Sequence, residues 1–302
     1  MAPKYPKYID LQVNGHGGID LLSAKNAEEV RQVSRSLYNN GVIGYLPTII
    51  TSALSEAVRA IKLIEDIRKN PLPGESKILG IHLEGPFISI EKRGVHPVEH
   101  IAKPDLNHLK SLLAAGLIKI VTIAPELPGA IELIQYLVAN NIVVSLGHTN
   151  ANREEAIAGF NAGAKTVTHL FNAMPKPPLD GTAQVAIERS DIVIQIIIDE
   201  VHVPNDLVKA TLAKVPDRFI VTNDPIAAAG LGAGKYPFGG MDITVEDGQA
   251  RRSDGTLAGG IGTLERAMEI MDSIGIDKSD ALASVTTRPC ELIGVDYKSL
   301  LN

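Results

Sequence analysis

The sequence predicts an α/β protein of the (β/α)8 barrel class, folded as a single domain over residues 1–302 with its core at about 8–295. Three observations carry that prediction. The length of 302 residues falls where an α/β barrel runs as one domain. Eight short runs rich in Val, Ile and Leu recur along the chain, most of them separated by a stretch long enough for a helix. Residues able to do chemistry follow the ends of those runs, as they do where a barrel gathers its site at the C-terminal strand ends.

The eight runs are KYIDLQVNG (7–15), GVIGYLPTIIT (41–51), KILGIHLEGPF (77–87), IKIVTIAPE (118–126), IVVSLGHT (142–149), KTVTHLFNAM (165–174), IVIQIIID (192–199) and RFIVTND (218–224). Between them AEEVRQVSRSLYNN, SEAVRAIKLIEDIRKN and NREEAIAGFNAG place apolar residues at helical spacing and end near a turn residue. Insertions are expected after the third strand (88–105), after the sixth (173–182) and after the eighth. The last of these, GLGAGKYPFGGMDITVEDGQARRSDG, holds two strand-like runs and a DG turn. No low-complexity tract or Ser/Gly-rich linker divides the chain.

Apolar residues make up 45% and charged residues 21%, which suits a globular core. A net charge of −6 supplies no basic surface for nucleic acid. No run of 18 uncharged apolar residues appears, and MAPKYPKYIDLQ has no apolar leader region, so a membrane span and a signal peptide are not expected and the predicted location is the cytosol. The single cysteine, Cys290, has no partner for an internal disulfide and reads as a buried thiol on a late helix.

The polar residues at the strand ends are Gln12 and Asn14, His82 and Glu84, His148, His169 and Asn172, Asp199 and His202, and Asp224. One histidine after a strand is more often structural than catalytic. Two imidazoles and a carboxylate closing three separate strands are a ligand set typical of a catalytic metal with an open position. His82, two residues before Glu84, shares its strand face and reads as packed behind the site. His100 and His108 are expected to face solvent, and His16 is placed near the mouth.

At GIHLEGPFIS, KRGVHP, SLGHTNA, THLFNAMP and DPIAAAG the sequence resembles the N-acetylglucosamine-6-phosphate deacetylases of the amidohydrolase superfamily, in order from about residue 9 to residue 294. The resemblance implies a hydrolase that removes the N-acetyl group from an amino sugar, using one divalent metal ion, zinc in the first instance, with Fe, Co, Mn or Ni as the other candidates. It implies Glu84, His148 and His169 as the metal ligands, Asp224 as the catalytic acid/base and His96 as a catalytic donor to the substrate carbonyl. His202, Asn172 and Ala173 match substrate-binding positions. Gln12 and Asn14 stand where many amidohydrolases carry a His-x-His pair, which points to the single-metal branch and puts both amides behind the site. Asp199 is assigned to the same supporting layer, as partner of a metal-ligating His. A homodimer is also implied.

Three departures from the family pattern are visible. The small β-domain that the family usually builds from both ends of the chain is not expected here, since the sequence starts almost at the first strand and stops at LIGVDYKSLLN. The Arg that grips the 6-phosphate in a REPG-like string is replaced within KPPLDGTAQVA, where Asp180 stands near that point, so a weaker preference for the 6-phosphate is expected unless Lys176, Arg93 or a partner subunit supplies a cation. The Gly of the family's DG-x-H string is Glu200, and the LSGS-like turn is LAGG (257–260). Two rival readings are an amidohydrolase for a different N-acyl or cyclic amide and a non-catalytic sugar-binding relative.

Overall fold

The computed structural model describes residues 7–176 and 178–301. Residues 1–6, part of the stretch read for a leader, and Pro177 of the 173–182 insertion lie outside the described residues. Eight parallel strands follow one another around a barrel, each paired with the next. They are β1 (Tyr8–Val13), β2 (Val42–Ile50), β3 (Ile81–Glu84), β4 (Ile118–Ile123), β5 (Val143–Leu146), β6 (Thr166–Val167), β7 (Val193–Ile196) and β8 (Phe219–Val221). The sequence runs were longer than these strands because the chain leaves the sheet as soon as it reaches the mouth. A further short strand, Lys77–Ile78, pairs with β2 ahead of β3.

The helices alternate with the strands as predicted: α1 (Ala27–Asn39), α2 (Leu54–Lys69), α3 (Leu106–Leu113), α4 (Ala130–Ala139), α5 (Arg153–Asn161), α6 (Thr182–Glu188), α7 (Asn205–Leu212) and α8 (Leu264–Ser273), followed by α9 (Lys278–Ser284) and α10 (Thr287–Leu292). Local sequence explains their starts. Asn26 caps α1 by accepting the Glu29 amide, and Asn152 with Glu155 forms a reciprocal capping box on α5. On α1 the apolar positions Val30, Val33 and Leu37 face the barrel and are buried. Cys290 lies buried on α10, as expected, and burial pushes its thiol up to about 12. No helix among the described residues is long and apolar enough to cross a membrane.

Between β8 and β1 side chains take over where ladder bonds would close the barrel. The Asp10 carboxylate accepts the Thr222 hydroxyl at 2.6 Å and the backbone amides of Gln12 and Asn223 at 3.2 and 3.4 Å. Just above, the amides of Asn14 and Gly15 both donate to the Pro225 carbonyl. Burial pushes the Asp10 carboxyl up to about 6, the three donors opposing it. A group that holds its proton more tightly folded than unfolded contributes less stability as pH rises from about 4 through 6. Asp10→Ala leaves three buried donors unmet, so a loss of about 2–4 kcal/mol is expected, read as a fall in thermal midpoint. An unchanged midpoint would show that the seam needs no carboxylate.

The insertion after β8 forms three antiparallel strands rather than two: β9 (Gly234–Phe238), β10 (Met241–Glu246) and β11 (Gln249–Arg251). The third was missed because QAR is short and polar, but the turn before it is the expected Asp247–Gly248, both at positive φ. This small sheet reaches over the barrel mouth and carries Phe238 into it.

Candidate active site and metal centre

The mouth holds a cavity of about 290 Å³ lined by residues from several strand ends and from the small sheet. At its floor three atoms converge. Nε2 of His148 and Nε2 of His169 lie 3.1 and 3.0 Å from Oε1 of Glu84, and 3.2 Å from each other. All three residues are buried. Nδ1 of His148 lies 2.8 Å from the Lys92 carbonyl, an atom that only accepts, so Nδ1 carries the proton and the neutral ring turns a lone pair toward the cluster. Lone pairs facing a carboxylate at 3 Å repel unless a positive charge lies among them. The donor set therefore fits a metal ion: two imidazole nitrogens and a carboxylate oxygen within reach of one point.

Local backbone geometry aims these groups. His148, His169 and Asp224, each following its strand, adopt positive φ of 47°, 32° and 50°. Left-handed backbone at non-glycine residues costs on the order of 1–3 kcal/mol each and persists where the surroundings enforce it, commonly at functional sites. Ala173 and Glu200 share this conformation, with φ of 51° and 66°. At Glu200 the resemblance had placed a glycine, and the torsion angle accounts for that preference.

Gln12 and Asn14 point their amides at the two acids, Gln12 Nε2 to Glu84 Oε1 at 3.0 Å and Asn14 Nδ2 to Asp224 Oδ1 at 2.7 Å. Burial pushes the Asp224 carboxyl up to about 8, and the Glu84 charge adds to the rise. Its backbone is tied to the LAGG turn, where Gly260 donates to the Asp224 carbonyl at 2.8 Å. A Cβ on Gly260 would lie 2.1 Å from the Asn223 carbonyl oxygen, so the glycine that departs from the family turn is required by this packing.

His96 is buried beside His148, ring centroids 4.4 Å apart. Its Nδ1 accepts the Thr51 backbone amide at 3.4 Å and lies 2.9 Å from the Thr51 hydroxyl, so in the neutral ring Nε2 carries the proton, 3.9 Å from Glu84 Oε2. Burial, with the nearby His148, lowers its pKa to about 3, which favours that neutral ring. His202, Asn172 and Ala173 also line the cavity.

Several expectations need correction. Asp199 supports His202, Oδ2 to Nδ1 at 2.7 Å, and not His148 or His169; a carboxylate three residues before a histidine in the same loop reaches it first. Asp180 faces away from the cavity and is held by Arg153 at 3.1 Å. His16 bonds Ser36 at 2.8 Å beneath the rim and does not line the cavity. His108 is half-buried, edge-on to Phe87, and His100 is half-buried as well. His82 is packed behind the site as read: Nε2 lies 2.7 Å from Thr122, which continues through Thr168 to Ser145 in a layer of hydroxyls across the barrel.

The residues that sequence reasoning missed are Thr51, which sets the His96 tautomer, Lys92, and Phe238 from the covering sheet. Only Thr51 carried a signal, standing at a strand end like the residues that were chosen.

No protein-family model matches the chain. It is 33% identical over 309 residues to the N-acetylglucosamine-6-phosphate deacetylase of Bos taurus, covering 97% of this chain and 75% of that protein. It is 29% identical to the N-acetylgalactosamine-6-phosphate deacetylase of Escherichia coli O157:H7, covering 96% and 78%. The crystal structure of N-acetylglucosamine-6-phosphate deacetylase from Pasteurella multocida superposes with a TM-score of 0.90 at 31% identity, covering 97% of this chain and 77% of that one. The chain thus spans about three quarters of the length of these relatives, barrel and mouth included. On the strength of that coverage and identity, the chain belongs to the N-acetylglucosamine-6-phosphate deacetylase family.

Proposed function

We propose that the protein is a metal-dependent amidohydrolase that removes the acetyl group from N-acetylglucosamine 6-phosphate, giving the free amine and acetate. The observation that carries the reading is the convergence of Glu84, His148 and His169 on one point in the same cavity as Asp224 and His96. Glu84, His148 and His169 would hold a single divalent cation, zinc by ligand type. A cation bound there supplies Lewis acidity, making water acidic enough to attack at neutral pH and polarising the amide carbonyl. Gln12 and Asn14 offer amides, poor ligands for a second cation, and both are already turned to the acids.

Asp224 takes the proton of the attacking water and hands it to the departing amine nitrogen. The positive charge at the cluster favours its ionised form, against the burial that raises its pKa. Asn14 keeps one Asp224 oxygen occupied, which leaves the other for the transferred proton. His96, holding its proton on Nε2, donates to the carbonyl oxygen as negative charge builds there, a contribution of roughly 3 kcal/mol by the measure of other oxyanion donors. His202, fixed by Asp199, and Asn172 with Ala173 orient the sugar.

With Asp180 turned away, the repulsion expected of it falls out of account. Lys92 is the one Lys or Arg lining the cavity, and among the described residues its ammonium forms no ion pair. It takes the place that Lys176 or Arg93 was expected to fill, opposite a substrate phosphate. Lys92→Ala should lower kcat/KM for the phosphorylated sugar about 10- to 100-fold, the worth of a charge-assisted hydrogen bond of roughly 1.5–3 kcal/mol, and leave N-acetylglucosamine itself nearly unaffected. Equal losses on both sugars would remove Lys92 from phosphate recognition. The direct test of the reading is acetate release from N-acetylglucosamine 6-phosphate, with the galactosamine epimer as the comparison.

A further inference from the structure

His148 stands out among the three candidate ligands because the loop that carries it is tied down at every step. Its ring donates to the Lys92 carbonyl, its own carbonyl accepts the Ser89 amide at 2.8 Å, and the next amide, Thr149, donates to Ala173 at 3.0 Å. Two carboxylates take part in this lattice. Glu126, three residues past the end of β4, accepts the Thr149 hydroxyl on Oε2 at 2.5 Å and the Asn150 amide on Oε1 at 2.6 Å. The Thr149 hydroxyl oxygen in turn accepts the Ala151 amide at 3.0 Å. Both carboxylate oxygens thus grip the two residues that follow His148, where the chain must leave β5 in a left-handed turn that a β-carbon disfavours. Glu91 holds the same loop from outside, through the Asn150 side chain at 2.8 Å.

We infer that Glu126 is the positioning residue for His148: its carboxylate fixes the Thr149–Asn150 turn and thereby aims the His148 ring at the cluster. The inference rests on the reading of His148 as a metal ligand. Charge-assisted bonds to two donors in one turn hold a backbone that a neutral acceptor holds less well, and groups that orient a ligand typically control metal affinity by 10- to 100-fold. Glu126 touches neither the cluster nor the cavity lining, so its effect is read on the metal before it is read on turnover.

The test is titration of the metal-free protein with Co2+, read by affinity and by the visible absorption of the bound ion, for wild type, Glu126→Gln, Thr149→Val and Thr149→Ser. Glu126→Gln, which can accept only one of the two donors, is expected to bind Co2+ 10- to 100-fold more weakly with an altered spectrum. Thr149→Val should do the same, and Thr149→Ser, which keeps the hydroxyl, should restore wild-type behaviour. If Glu126→Gln does not fold, the two Thr149 variants decide the matter. Wild-type affinity and spectrum in Glu126→Gln or Thr149→Val overturn the inference alone, as does a Thr149→Ser variant as weak as Thr149→Val. A wild-type protein that binds no Co2+ overturns both the inference and the ligand reading beneath it.

Discussion

Replacing His148 or His169 by Ala is expected to abolish tight metal binding, and with it hydrolysis. Each variant leaves two ligands of three, and the remaining imidazole and Glu84 lie only 3.0–3.1 Å apart, with no other metal-ligating group clustered with them among the described residues. A site with three protein ligands and an open position cannot lose one and still hold a divalent cation firmly at cellular concentrations. The loss should appear as absence of metal from protein purified in the same way as wild type. The fold should survive, since these side chains sit at the mouth and the hydrophobic core beneath them is continuous. A variant that keeps its metal would place the ion elsewhere.

Asp224→Asn is expected to keep the metal and lose the reaction. The substitution is close to isosteric, and Asp224 is not one of the converging ligands. An amide cannot accept the proton of the attacking water, and positioned acid/base groups supply about 10²–10⁴ in rate, so kcat should fall at least ~100-fold with metal content nearly unchanged. The buried neighbour Asn14 loses a charged acceptor at the same time, a smaller effect that shows in stability and not in the chemical step. Near-normal turnover would move the base to another residue.

Much of this site was legible because each residue obeys one rule: Glu84, His148, His169 and Asp224 all stand at or just past the end of a barrel strand. Strand ends can be read from apolar runs, and the barrel brings them together. What a run cannot show is where within it the sheet gives way. The strand in KTVTHLFNAM covers only Thr166–Val167, because the chain turns left-handed by His169 to aim that ring. The hydroxyl layer of Thr122, Ser145 and Thr168 was hidden for a different reason, since Thr is also an ordinary strand former and its role emerges only when His82 is seen bonded to it. Partnerships inside loops were the least legible. Asp199 belongs to His202 and Glu126 to Thr149, and both pairings depend on loop paths that no periodicity encodes. The cover over the mouth escaped notice because β9–β11 read as an insertion, with nothing in the pattern to say which way it folds.

The proposed hydrolysis would need one cation, held by Glu84, His148 and His169 and acting with Asp224 on an N-acetyl amide. Its most direct test measures metal content and acetate release from N-acetylglucosamine 6-phosphate on the same protein samples, from chelator-treated through fully reloaded. The expected result is turnover that rises in proportion to occupancy and saturates at one equivalent per chain. Undiminished acetate release from metal-free protein, or activity that appears only as a second equivalent binds, would contradict it.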